Sequence, residues 1–351
     1  MPEYAHGGDI YSYQEKYGRV PIDFSSNINP LGLQKAVLAA LCEAAIHADR
    51  YPDARCTRLI QNLAEFEQIP QDWILCGNGA ADLIYRTVYA RRPKRALLLS
   101  PTFSEYEAAL RAVKCRVQFY RLKEETGFVL TPDFLKELDC GYDMIFLCNP
   151  NNPTGQVIDP GLMRDILDTC RENGVFVVVD ECFLDFSERR NELTVKGLLS
   201  EYPGLLIIKA FTKTFALAGA RLGYLFCSDH AVREQIAKAG QPWAVSNLAQ
   251  EAGVAALQNA GEYLQKSRIY VERERELLRY GLTCCGYQVF DSQANYLLFC
   301  SKDTDLAGKM KREGFLIRDC ENYHGLKPGY YRIAVRRHED NVKLLSALER
   351  L

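Results

Sequence analysis

Neither sign of charge dominates this chain. Its 351 residues carry 43 basic and 45 acidic side chains, a formal net charge of −2, and the two signs are interspersed. Polyanions and anionic membrane surfaces are recognised by clustered cations. Nucleic acid and membrane are therefore excluded as expected partners, which leaves small molecules. The chain also lacks an apolar run long enough to cross a bilayer, and its opening, MPEYAHGGDIYSYQEKYG, has no apolar core or cleavage site. The expectation is a cytoplasmic protein, neither secreted nor inserted in a membrane. Thirteen cysteines are present, but they form no CxxC pair and no His/Cys set at zinc-binding spacing, and their number is odd. Reduced thiols fit that scatter, and no metal site is expected. The sequence has no internal repeat or low-complexity tract either.

What is present is apolar bulk in an informative order. With 48% hydrophobic residues over this length, one large domain and one smaller domain can each bury a core. The short apolar runs RALLLS (95–100), MIFLCNP (144–150), VFVVVDE (175–181) and LLIIKAF (205–211) alternate with helix-like segments such as PGLMRDILDTCREN (160–173). Continuous apolar strands between helices predict an α/β fold with a mostly parallel sheet covered on both faces. From about residue 245 the texture changes to a long helical stretch (261–281), strand-like ANYLLFC (294–300) and YYRIAV (330–335), and a last helix from His338. The expected organisation is an N-terminal arm over 1–30 contributing to the small domain, a large α/β domain over 31–244, and a small α+β domain over 245–351.

Three of the four central runs end in polar or glycine-bearing turns: CNPNNPTG, DECFLDF and FTKTF. Ligands of open α/β sheets sit at the carboxyl ends of the strands, so the chemistry is sought there. Asp180 ends an apolar run, where a carboxylate needs a cationic or hydrogen-bonding partner. It can cap the next turn or hold a protonated ring nitrogen. CGNGAADLIY (76–85) reads as a glycine turn entering a helix, whose backbone N–H groups suit a phosphate or serve as a plain helix start. It departs from a dinucleotide fingerprint, because Asp82 replaces the third glycine and no strong strand precedes it. Lys213 follows a near-continuous apolar run, and desolvation there tunes a lysine toward a neutral, nucleophilic amine; Arg221 adds a second cation eight residues on. A nucleophilic lysine, a buried aspartate, an anion-binding helix start and an arginine together ask for a phosphorylated aldehyde with a ring nitrogen. Pyridoxal 5'-phosphate is such a molecule.

NPNNPTG (149–155), VVVDECF (177–183) and TKTFALAGARLGY (212–224), in that order, resemble the fold-type-I pyridoxal-phosphate aminotransferase superfamily. The resemblance implies that Lys213 is the lysine bonded to the cofactor, Asp180 the partner of its pyridine nitrogen, and Asn152 the donor to its phenolic oxygen. It implies that Phe103 of PTFSEY stacks on the ring and that Gly79, Ala80 and Ala81 offer N–H groups to the phosphate beside Arg221. Tyr51 of RYPD is similar to the residue that reaches the neighbouring subunit's phosphate in related dimers, so a homodimer with shared sites is expected. Two positions depart from the pattern. Ala210 stands where many relatives have serine, with Thr212 placed to compensate, and Phe183 stands where tyrosine is common.

Within the superfamily, AHGGDIYSY (5–13), DFSSNINPLG (23–32), GQPWAVSNLA (240–249) and IRDCENYHGLKPGYYRIAVR (317–336) resemble the threonine-phosphate decarboxylase branch of cobamide synthesis. Histidinol-phosphate aminotransferases are the neighbouring branch. The resemblance implies that Arg318 and Arg332 hold a substrate carboxylate, and that His6, Asn27 and Arg336 hold a substrate phosphate. The reaction implied is loss of carbon dioxide from threonine phosphate or serine phosphate. A single methyl separates these two substrates, worth only about 1–3 kcal/mol in a pocket.

Overall fold

A computed structural model describes residues 6–351, leaving aside the side chains at 139 and 140; the first five residues of the expected arm lie outside it. The strands are β1 (Ile22–Asp23), β2 (Ile74–Gly77), β3 (Arg95–Ser100), β4 (Arg116–Arg121), β5 (Met144–Cys148), β6 (Phe176–Asp180), β7 (Leu205–Ala210) and β8 (Gly223–Cys227). The later part of the chain adds β9 (Gln288–Val289), β10 (Tyr296–Cys300), β11 (Phe315–Leu316), β12 (Arg318–Asp319) and β13 (Tyr330–Ala334).

Seven strands form one sheet in the order β2-β8-β7-β6-β5-β3-β4. Every neighbouring pair from β7 to β4 is parallel, while β8 runs antiparallel to both β7 and β2. β5, β6 and β7 are buried at every position, as strands covered on both faces must be. Helices start where the sequence supplies caps. The Asp159 carboxylate accepts the Leu162 N–H ahead of a helix with Pro160 at its first position, and Ser246 caps the helix Asn247–Gln258. The latter helix, just past residue 245, packs against the helices Lys35–Ala45 and Thr57–Glu67.

A second sheet, β12-β13-β10-β9, is antiparallel throughout. β1 pairs in parallel with β11, and the Phe24 carbonyl accepts the Ala334 N–H at 2.8 Å. The N-terminal segment is thereby stitched to the C-terminal strands. No strong strand is expected before the glycine turn, and the strand that precedes it is a short one. β2 is a short edge strand of four residues, ILCG, without polar–apolar alternation and with Ile74 as its one β-branched residue. It is held by its register with β8, in which Gly77 faces Gly223.

Candidate active site

The sheet directions explain how distant turns meet. β3, β5, β6 and β7 run in parallel, so their carboxyl ends share one edge, and β2, antiparallel to β8, ends there as well. Because β8 runs the other way, its beginning lies at that same edge and brings Arg221, two residues before Gly223, into the group. A cavity of about 370 Å³ lies between this edge and the second sheet. Of the residues expected from sequence, Lys213, Asp180, Asn152, Phe103, Ala80, Ala81, Thr212, Arg221, His6, Asn27, Arg318 and Arg332 all line it.

Asp180 closes β6 with both carboxylate oxygens engaged. Oδ1 accepts the Cys182 N–H at 2.9 Å, and Oδ2 accepts the Tyr106 hydroxyl at 2.6 Å. Burial and the nearby Asp180 carboxylate push the Tyr106 phenol well above its ordinary value, so Tyr106 is a donor to the carboxylate. Tyr106 was not singled out from the sequence, although it lies three residues after Phe103, within one helical turn of it.

Lys213 sits in the short helix Phe211–Thr214 that follows β7. Burial, then the positive charges of Arg332 and Arg221, hold its amine down at about 8. At pH 7 about a tenth of an amine so placed is neutral, far more than of an ordinary lysine, and the neutral form attacks a carbonyl carbon.

The Asn152 amide is oriented from behind. Its Oδ1 accepts from Arg332 Nη1 and from the Tyr323 hydroxyl at 3.3 Å, which turns the amide's donor side away from those two groups. Arg332, 5% exposed, also donates to the Ser25 carbonyl at 2.8 Å. Its Nε and the Oδ1 of buried Asn27 have no hydrogen-bond partner among the described residues. Two buried polar atoms beside one cavity are what a missing polar ligand leaves behind. His6 Nε2 lies 2.7 Å from Glu105 Oε1, and Tyr85 donates to the other oxygen of that carboxylate at 3.1 Å. Glu105 and Tyr323 both line the cavity, and neither was singled out from the sequence.

Three expected residues are placed elsewhere. Gly79 does not offer its N–H to a phosphate, because that group donates to the Gly77 carbonyl at 2.8 Å. Its φ of +86° and the lack of a Cβ, which would lie 2.7 Å from Arg221 Nη2, let the arginine close on the start of the helix Ala80–Arg91. A side chain would fill that cradle. Arg336 lies outside the cavity lining, at the start of the last helix, where its backbone N–H and carbonyl are both bonded by Asn341. Tyr51 is 80% exposed and stacks on Trp243 at 4.6 Å, away from the cavity of its own chain.

Behind the site, charges are paired out of water. Lys209 Nζ lies 2.8 Å from Glu67 and 3.3 Å from Asp185, and Tyr224 donates to Glu67 at 2.7 Å. Glu181, next to Asp180, accepts the Val195 N–H at 2.9 Å and the Thr194 hydroxyl. Burial nevertheless pushes its carboxyl up to about 7 from an ordinary 4.5. Below pH 4.5 both the folded and the unfolded chain hold that proton; as pH rises toward 7 the unfolded chain releases it first. Glu181 therefore contributes stability that is fully present below the ordinary value and is lost as pH rises through about 7, a change of about 3 kcal/mol. Glu181→Gln should flatten the fall in melting temperature between about pH 5 and 7.5 relative to wild type. Equal slopes in a thermal scan of the two proteins would refute this.

The donor set fits pyridoxal phosphate: an amine, a carboxylate for a ring nitrogen, an amide donor, an aromatic wall, and a helix start with an arginine. The comparisons agree. Residues 19–350 match the family model for aminotransferase class I and II. The chain belongs to the class I and II aminotransferases. The cofactor of this family of enzymes is pyridoxal 5'-phosphate, and the fold is fold type I. A threonine-phosphate decarboxylase of Salmonella typhimurium is 37% identical over 98% of this chain and 95% of that protein. A histidinol-phosphate aminotransferase of Archaeoglobus fulgidus is 32% identical over 94% of this chain and 93% of that protein. The crystal structure of L-threonine-O-3-phosphate decarboxylase from Porphyromonas gingivalis superimposes with a TM-score of 0.82 at 26% identity, over 94% of this chain and 98% of that one. Among the described residues no helix of this family member is long and apolar enough to cross a membrane.

Proposed function

We propose that the protein removes carbon dioxide from an O-phosphorylated amino acid, threonine phosphate or serine phosphate, releasing the corresponding phosphoamine. The observation that carries this reading is the number of anion-binding groups in the cavity. Beyond Lys213, Asp180 and Arg221, it presents two arginines, Arg318 and Arg332, and also Asn27 and His6, the latter 2.7 Å from Glu105 Oε1. A phosphoamino acid brings two anions, a carboxylate and a phosphate. Histidinol phosphate itself has only the second, but the 2-oxoglutarate of an aminotransferase brings two carboxylates, so the anion count supports the reading and product analysis decides it. The Salmonella relative supports the same reading, and its place in cobamide synthesis would be supply of the phosphoamine linker of the nucleotide loop.

When bound, pyridoxal phosphate supplies an electron sink in conjugation with the substrate Cα. Asp180 would hold its pyridine nitrogen and Asn152 its phenolic oxygen. Arg318 and Arg332 grip the carboxylate and fix the angle at which the substrate is presented, which would select the bond that breaks. His6 and Asn27 hold the phosphate and fix the other end. Lys213, in its ammonium form, would deliver a proton to Cα after carbon dioxide leaves and revert to the neutral amine. Two copies pair so that Tyr51 reaches the cofactor phosphate of the other copy.

The test is product analysis. Wild-type protein given either phosphoamino acid should yield phosphoamine and carbon dioxide in equal amounts, from a species that light scattering sizes as a dimer. An aminotransferase reading, favoured by the Archaeoglobus relative, takes over if no carbon dioxide appears and histidinol phosphate is transaminated with 2-oxoglutarate. A fully active monomer would remove the role given to Tyr51.

A further inference from the structure

β12 and β13 place two positive charges face to face. Arg318 and Arg332 are direct partners in the antiparallel register, and like charges directly opposite on neighbouring strands repel. Tyr323 touches both. The Arg318 guanidinium lies over its ring, 5.3 Å from the centroid, while Arg332 Nη1 donates to its hydroxyl at 3.4 Å. That hydroxyl gives its own proton to Asn152 Oδ1 at 3.3 Å, so its donor and an acceptor lone pair are both in use. The side chain is 7% exposed and lines the cavity. Its position is fixed by the turn between the two strands, where the Tyr323 N–H donates to the Cys320 carbonyl and the Tyr323 carbonyl accepts the Leu326 N–H.

We infer that Tyr323 is a positioning residue: it sets the spacing of the two arginines and couples their grip on the substrate carboxylate to the orientation of Asn152. One side chain presents a π face to the first cation, an oxygen lone pair to the second and a proton to the amide that faces the cofactor. The inference rests on the proposed function, in which the two arginines hold a carboxylate. Without Tyr323 the guanidinium groups would lose the partner between them, and the carboxylate would be bound at a looser angle.

Tyr323→Phe keeps the ring and removes the hydroxyl, while Tyr323→Leu removes both and serves as the second variant. Binding is read with the holoenzyme as the change in the cofactor's absorption band on adding O-phosphothreonine, or 1-amino-2-propanol O-phosphate, which has no carboxylate. The phenylalanine variant should bind O-phosphothreonine roughly 10-fold more weakly, the lower part of the range for a hydrogen bond to a charged group. Its affinity for the phosphoamine should match wild type. The leucine variant should show a larger loss for the same ligand only. Combined with Arg332→Lys, Tyr323→Phe should add little, because both act on one grip. Equal weakening of the two ligands, no weakening of either, or full additivity with Arg332→Lys overturns the inference. If wild-type holoenzyme prefers the phosphoamine as strongly as the phosphoamino acid, the carboxylate grip itself is absent and the proposed function falls with it. A wild-type preference that survives in both Tyr323 variants overturns the inference alone.

Discussion

Lys213→Ala should abolish the covalent attachment of pyridoxal phosphate and lower turnover by roughly 10⁴-fold, the upper end for a positioned acid–base group. The expectation comes from position and environment together. Lys213 lies one short turn beyond β7, in the cavity with Asp180 and Asn152, and burial and Arg332 hold its amine at about 8 instead of the ordinary 10.5. The sign of the shift gives a second reading of the same residue. A lysine whose amine is held low is protonated below that value and neutral above it, and only the neutral amine attacks the aldehyde. Cofactor uptake by the cofactor-free protein should therefore accelerate as pH rises through about 8 and then level off. Uptake that keeps climbing through pH 10 would refute the depressed amine. Borohydride reduction of the wild-type holoenzyme should fix the cofactor on the peptide containing Lys213 and leave the alanine variant unlabelled. A labelled peptide carrying any other lysine would overturn the assignment.

Much of this site was legible because catalytic residues in a parallel sheet must follow strand ends, and the strands announce themselves. VFVVVD and LLIIKAF are buried on both faces, so a carboxylate at the end of one and a lysine just past the other stand out against their apolar runs. β2 was not legible. Four residues without alternation are held by tertiary pairing with β8, and propensity says nothing about such a strand. The same limit hid Tyr106, Glu105 and Tyr323. Each is an unremarkable residue in its own segment and acquires a partner only when a remote segment arrives: Asp180 for Tyr106, His6 for Glu105, Asn152 for Tyr323. Gly79 shows the complementary error. A glycine at a helix start suggests a phosphate donor, yet its N–H closes the turn on Gly77, and what the missing side chain provides is room for Arg221.

On the proposed function, Arg332→Lys should reduce decarboxylation by roughly 100-fold and redirect part of the remaining turnover, because it changes geometry while preserving charge. The guanidinium donates from Nη1 to Asn152 Oδ1 and from Nη2 to the Ser25 carbonyl, and its Nε is buried without a partner among the described residues. A planar fork serves both acceptors at once and still presents an edge to a ligand. A lysine ammonium is a point donor on a flexible stem and cannot span the two, so one buried acceptor is left unpaired and the cation settles off the original line. On the proposed function, a carboxylate held by the shifted cation would no longer be presented at the angle that favours its loss, and the Cα–H bond would be presented there for a larger share of the time. Proton loss then competes with loss of carbon dioxide. In the variant the cofactor should be converted progressively to its amine form, seen as loss of the long-wavelength band, and carbon dioxide should fall below one per amino acid consumed. The measurement is a paired one, carbon dioxide release against cofactor absorbance in the same cuvette over many turnovers. A uniform drop in rate, with carbon dioxide still released once per amino acid consumed and the cofactor unchanged, would mean that Arg332 only strengthens binding and that the angle of the carboxylate is set elsewhere.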